Sequence, residues 1–232
     1  MYKEQRIVAL IPARGGSKRL PRKNVLPLRG TPLIQWSISI AQRSSLIDQV
    51  IVSTDDPEIL QISESAGAEV MDRPASLALD HTPSLPVFQD ALQRMRQKAD
   101  LLVVLQPTNP FRRVEDVDEG IRRTIHHGAD ALVAVSKVKM GPEWSMTIED
   151  GYLNFADTNL FARTRTQDQP PFYQINGSLY IFKPETVLAA DRYAWGPRTL
   201  GLILEKPWDL DIDDLTDFRI ANAIANEFDL HC

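Results

Sequence analysis

The sequence predicts an α/β fold, a mostly parallel sheet with helices on both faces. Two observations carry this. Apolar runs of strand length alternate with segments of helical period from residue 7 to residue 136, an alternation that builds βαβ units. The runs themselves, above all IVALIP at 7–12 and LLVVLQ at 101–106, are apolar without a break, as strands covered on both faces are.

The first strand, 7–12, leads to a helix expected to open on Thr31 and Pro32, an N-cap and first-turn pair, with Leu33, Ile34, Ile38 and Ala41 on one face. VIVS at 50–53 is a second strand, Pro57 begins a helix running to Ala66, and AEVM at 68–71 is a third strand. A helix over 84–97 places Val87, Ala91, Leu92 and Met95 on one side. LLVVLQ is the most hydrophobic run and is expected at the centre of the sheet. A helix over 115–127 then leads to a strand at 131–136.

There the alternation stops. Residues 137–175 are polar, contain Pro, Gly and scattered aromatics, and show no clear period. A structureless loop of that length is uncommon inside a compact domain. Regular structure resumes with GSLYIF at 177–182, a helix near 184–190, a strand near 200–204 and a last helix from about 214 to 228.

Composition bounds the function. A chain of 232 residues with 43% hydrophobic and 25% charged residues is an ordinary globular protein, read as a single domain over 1–232. Its formal charge of −5 argues against a general nucleic-acid binder. The only cysteine, Cys232, forms no intrachain disulfide or metal cluster. No apolar run approaches the roughly 20 residues that span a bilayer, and the N-terminal MYKEQR lacks a signal-peptide core, so a cytoplasmic protein is expected.

Ligands of open α/β sheets bind outside the carboxyl ends of the strands. At that end of the first strand lies ARGGSKRLPRK, with Arg14, Lys18, Arg19, Arg22 and Lys23 around Gly15 and Gly16. Cations on a glycine-bearing loop suit a polyphosphate: glycines allow backbone N–H groups to approach anionic oxygens, and the cations offset charge on a departing pyrophosphate. Neither a Walker A motif nor a dinucleotide fingerprint is present; a solvated basic loop is the plain alternative.

A second candidate is acidic. In DLDIDD, Asp211 and Asp213 alternate with Leu210 and Ile212, which puts both carboxylates on one side of an extended segment. Two such carboxylates repel unless a cation lies between them, and Mg²⁺ with nucleotide phosphates suits them. Asp214 is expected to cap the last helix, with Asp217 in its first turn; that all four acids merely cap and solvate the helix start is the competing reading.

IPARGGSKRLPRKN closely resembles the N-terminal signature of the CMP-sialic acid synthetases, the acylneuraminate and nonulosonate cytidylyltransferases. IVSTDD at 51–56, RPASLALD at 73–80, LQPTNPFR at 105–112, INGSLYIF at 175–182 and DIDD at 211–214 match in the same order and span nearly the whole chain. The resemblance implies a Rossmann-like nucleotidyltransferase fold, and a projecting subdomain at about 137–175 that builds a homodimer and helps cover the sugar site. It implies CTP and a nonulosonic acid as substrates and Mg²⁺ as cofactor, held by Asp211 and Asp213. Arg14 and Lys18 would contact the triphosphate, with Ala13, Gly15, Lys23 and Asn24 also at the nucleotide, and Arg73 with Thr82 at the cytosine. Arg19 and Arg22 have no equally clear role and are read as solvated or supporting.

For the sugar acid, the resemblance implies Asn176, Gly177 and Tyr180; Gln106 and Thr108, polar groups at the carboxyl end of the central strand, are read as facing sugar hydroxyls, and Gln174 as a further sugar-site position. Asn109 is read as presented beside Thr108 by the turn between Pro107 and Pro110, and Arg112 as structural. Arg165 would supply the cation for the substrate carboxylate, in preference to Arg163. One departure bears on the sugar: many sialate enzymes carry arginine where this chain has Gln174, and a neutral amide does not neutralise a carboxylate. The other readings are a cytidylyltransferase for the eight-carbon acid Kdo, and a catalytically silent nucleotide-sugar binding protein.

Overall fold

The computed structural model describes residues 1–139, 141, 144–155, 171–230 and 232. Seven strands form the main sheet: β1 (Ile7–Pro12), β4 (Gln49–Thr54), β5 (Glu69–Asp72), β6 (Leu101–Val104), β7 (Ala131–Lys137), β10 (Tyr173–Phe182) and β11 (Thr199–Ile203). Their order is β11-β7-β10-β6-β1-β4-β5. The sheet is parallel except for β10, which runs antiparallel to β6 and β7. β6 is central, as its hydrophobicity implies. The chain moves outward from β1 to β4 and β5, then crosses to the other side of β1 to form β6, so the strand order reverses at β1 and the loops after β1 and β6 flank a crevice.

Alternate residues of β1 explain the layers. Ile7, Ala9 and Ile11 pack with Ile34 and Ile38 of α1 (Leu33–Arg43), Ile59 of α2 (Pro57–Ser65) and Val117 and Ile121 of α4 (Val114–His126). Val8 and Leu10 face the other way, onto Leu85, Phe88 and Ala91 of α3 (Ser84–Arg94) and Val187 of α5 (Pro184–Leu188). Each fully buried aliphatic side chain contributes about 1.5–3 kcal/mol. A third cluster joins Ala221 and Ala225 of α6 (Leu215–Glu227) to Leu28, Leu33, Trp36, Phe111 and Ile212.

Three boundaries differ from the sequence reading. Thr31 and Pro32 form a short strand, β3, paired with β2 (Pro27–Leu28) across Arg29 and Gly30, whose φ values of 50° and 79° make a tight primed turn. Pro32 is thereby the N-cap and Leu33 the first helical residue. α3 stops at Arg94, whose guanidinium bonds Asp90 and the Asp72 carbonyl, while Met95 takes an extended ψ. β10 begins at Tyr173, before the expected 177, because Tyr173–Ile175 pairs with Val135–Lys137; the register then shifts between Ile175 and Tyr180. Gly177, at φ 80°, lies in that bulge.

Within 137–175 the described residues include a hairpin of β8 (Met146–Glu149) and β9 (Tyr152–Phe155). Its turn is Asp150–Gly151, both at positive φ, and the Asp-Gly pair was the available signal for it. Among the described residues no helix is long and apolar enough to cross a membrane.

Candidate active site

Two cavities open at the carboxyl end of the sheet and meet at Gln106. One, of about 350 Å³, is walled by the loop after β1 (Arg14, Gly16, Lys23, Asn24), by Arg73 and Thr82, and by Thr108 after β6. The other, of about 410 Å³, is lined by Ser136, Gln174, Asn176, Gly177, Tyr180, Lys206 and Asp211. Twelve of the sequence-predicted site residues thus line one or other cavity, Gln106 belonging to both, and the two kinds of site share a single crevice.

The cationic loop is held by carboxylates. Arg14 Nη1 lies 2.9 Å and Lys18 Nζ 2.7 Å from the two oxygens of Asp80, whose acidity these partners raise, Lys18 most. The two cations assigned to a triphosphate therefore already converge on one anion, and Asp80, the last residue of RPASLALD, was not singled out from sequence. Asn24 donates through Nδ2 to the Arg14 carbonyl at 2.9 Å, so its amide braces the loop, leaving its oxygen to the cavity. Gly15 is corrected: its close approach is to protein, since a Cβ there would lie 2.5 Å from Asp56 Oδ2, and its N–H donates to Asp55 at 3.0 Å. Gly16 has open space around it and lines the nucleotide-side cavity. Ala13 is buried, its N–H bonded to the Ser53 carbonyl at 2.9 Å, and sets the loop's departure from the sheet.

Arg73 is only 6% exposed. Its Nε and Nη2 bond the hydroxyl and carbonyl of Ser53 at 3.2 and 2.7 Å, which leaves other N–H groups for a ligand. Burial pushes its pKa down to about 10, against the pull of Asp55. Thr82 bonds the Ser76 carbonyl at 3.2 Å across the same wall.

The burial of Ile212 follows the alternation around the two acids. Ile212 is fully buried between Asp211 and Asp213, and its N–H bonds the Thr108 carbonyl at 2.8 Å. Asp213 meets Arg19 at 2.8 Å and Lys23 Nζ at 3.7 Å, while Lys23 also donates to the Ile212 carbonyl at 2.7 Å. Asp211 opens on the crevice but is hemmed in by protein. Burial pushes its carboxyl above the usual range, a hydrogen bond from Thr108 opposes this, and the charge of Asp213 adds to it. Burial lowers Lys23, with Asp213 and Asp211 opposing. Asp214 caps α6 and forms a capping box with Asp217, as expected. Among the described residues no three His, Cys, Asp or Glu side chains gather as a metal-ligand set. Two close carboxylates, one of them held against its preference by burial, still fit an oxygen-seeking divalent cation that takes its remaining ligands from phosphate and water.

Two polar residues read near the sugar also brace the scaffold. Asn109 is fully buried, and its Nδ2 bonds the carbonyls of Asn176 and Leu210, both at 3.1 Å. Asn176 spends its amide on Ser136 Oγ at 2.9 Å and on the Ser178 N–H at 3.0 Å; it lines the second cavity while fixing the bulge. Arg112 is structural, as read: it is 4% exposed and bonds the Gln106 and Ser178 carbonyls and, at 3.0 Å, Ser37 Oγ. Burial drives its pKa down to about 9. Gln174 is exposed on β10, and Tyr180 stacks near Trp195 at 6.2 Å between centroids. Lys206, which sequence reasoning missed, is the one cation among the described residues lining the second cavity. Arg163 and Arg165 lie outside the described residues.

Comparison with known proteins agrees with this geometry. The family model described as cytidylyltransferase matches residues 8–193. The CMP-N,N'-diacetyllegionaminic acid synthase of Legionella pneumophila is 32% identical over 225 residues, covering 94% of this chain and 96% of that protein. The N-acylneuraminate cytidylyltransferase of Escherichia coli O18:K1:H7 is 32% identical over 224 residues, covering 96% of this chain and 52% of its own length. A solved CMP:2-keto-3-deoxy-manno-octonic acid synthetase complexed with CTP superposes with a TM-score of 0.74 at 18% identity, over 96% of this chain and 99% of that one, a likeness of fold.

Proposed function

Because the chain belongs to the cytidylyltransferase family, we propose that it couples CTP to a nonulosonic acid, giving a CMP-sugar and pyrophosphate. The observation that carries this is the junction at Gln106: a cation-walled cavity meets a hydroxyl-, amide- and acid-lined one, with Asp211 lining the second and Asp213 paired to Arg19 and Lys23 of the first. In the reaction the anomeric hydroxyl oxygen of the sugar bonds to the α-phosphorus and gives up its proton to water, and the bond from that phosphorus to the bridging oxygen breaks, the oxygen leaving with the pyrophosphate. Arg14 and Lys18, already converging on one anion, would stabilise charge building on the departing pyrophosphate. Arg73, locked to Ser53, would read the cytosine with its remaining donors, with Thr82 beside it.

Asp211 and Asp213 would hold Mg²⁺, which when bound orients phosphates and polarises the α-phosphate. Lys23 and Arg19 hold Asp213 in place until then. On the sugar side, Gln106, Thr108, Gln174, Gly177 and Tyr180 would orient hydroxyl and acyl groups, and Arg165 would meet the carboxylate. The relatives near 30% identity favour a nonulosonic acid over Kdo, to which the likeness is one of fold.

The reading includes a homodimer. The β8–β9 hairpin exposes Ile148, Tyr152 and Leu153 at 72%, 76% and 68%, an apolar projection that a second copy would cover. With CTP as substrate, the enzyme would work in the cytoplasm. The test is incubation with CTP and a panel of neuraminic, legionaminic and pseudaminic acids, with products identified by mass. A CMP-ester from at least one of them is expected; a CMP-ester from Kdo alone would overturn the substrate class.

A further inference from the structure

The IVSTDD segment, prominent in the sequence, is left without a role by the chemistry above. We propose that Asp55 and Asp56, together with Arg22, are positioning residues that pin the two ends of the cationic loop and so set where Arg14 and Lys18 meet the phosphates of CTP. This rests on the cytidylyl reading for its consequence.

The pinning is visible at both ends. At the first, the Gly15 N–H donates to Asp55 at 3.0 Å, and the Gly15 Cα is pressed so closely on Asp56 that a Cβ would meet Oδ2 at 2.5 Å and its own Cβ at 2.8 Å. No side chain fits there, so glycine lets the loop lie against α2's first turn. At the second, Arg22 sits at φ 58° and ψ 25°, a left-handed conformation that a non-glycine residue keeps only where its surroundings fix it. Its guanidinium supplies the fixing: it forks over Asp56 and Glu58, with Nη2 3.3 Å from Asp56 Oδ1 besides the shorter contacts. The same pairing lowers the pKa of Asp56 and raises that of Arg22.

Asp56 is itself rigid, because it caps α2 by accepting from the Glu58 and Ile59 N–H groups. The loop is therefore tied by both ends to one helix terminus. Its tip, Lys18 and Arg19, is left to reach Asp80 and Asp213. Asp55 also lies near Arg73, whose charge it supports, so one dipeptide braces both the phosphate side and the base side of the cavity.

The test compares Arg22→Ala, Arg22→Lys and Asp55→Ala with the wild type, by steady-state kinetics, melting temperature and amide exchange of the loop. Arg22→Ala is expected to speed exchange across residues 15–19 and to lower kcat/KM for CTP about ten- to a hundredfold, with KM for the sugar acid unchanged. Arg22 is largely exposed, so the melting temperature should stay within about 4 °C of wild type. Arg22→Lys should recover part of the loss, because an ammonium pairs one carboxylate where the guanidinium forks over two. Asp55→Ala should free the Gly15 end in the same way. Unchanged loop exchange, an unchanged KM and kcat for CTP, or equal losses toward both substrates with a large melting shift would overturn the proposal. A wild type that does not use CTP at all would strike the cytidylyl reading instead, while loop exchange in Arg22→Ala still decides whether the clasp exists.

Discussion

In the proposed reaction Asp211 would be a metal ligand, and its setting is distinctive. Its carboxyl is held above its unfolded value, chiefly by burial and further by Asp213. The folded protein therefore binds that proton more readily than the unfolded chain. Stability falls as pH rises from about 4, the unfolded value, through the folded value, and above that window the whole penalty is present. Asp211→Asn removes the penalty: the variant is expected to melt above wild type at pH 7, with the gap closing as pH falls below about 4. Its turnover should drop about a hundredfold or more. Lower melting at pH 7 would show that the carboxylate stabilises the fold, and normal turnover would remove it from the chemistry. Asp214→Asn should be mild on both counts, because Asn still caps α6.

At the scale of elements, the site depends on how β6's exit is tied to β10. Arg112 links the Gln106 and Ser178 carbonyls and Ser37. Arg112→Met keeps much of the volume but strands buried acceptors, at about 2–5 kcal/mol by chemical denaturation. A loss below about 1 kcal/mol would show that water replaces the guanidinium. The strands, their central member and the acid alternation were legible because period and composition report burial directly: LLVVLQ reads as central, and Ile212 does sit in the core between two acids. The roles of Asn109, Asn176 and Gly15 were not. A motif fixes residue type, whereas only the register shift in β10 and the approach of Asp56 decide whether a polar group faces a ligand or a carbonyl. Asp80 and Lys206 were missed for the same reason, since each acquires its setting from a segment distant in sequence.

For the whole molecule, the β8–β9 hairpin stands on the β7-to-β10 connection and carries apolar side chains outward. Single exposed apolar residues are common, but in the proposed homodimer this strip would be the docking surface. Ile148→Glu with Leu153→Glu is expected to give a monomer by sedimentation. Because the segment is also assigned to the sugar site, KM for the acid should rise more than KM for CTP. A dimer that survives both changes would place the interface elsewhere.

Cytidylyl transfer in the crevice between β1 and β6 is the reaction proposed for the whole molecule. It is tested most directly by pyrophosphate release with Mg²⁺, supplying CTP or UTP, with and without a nonulosonic acid. Release that needs both CTP and the acid is expected, with UTP strongly disfavoured because Arg73 and its neighbours would read the cytosine. Release at equal rates from both nucleotides, or from CTP without the acid, would contradict it.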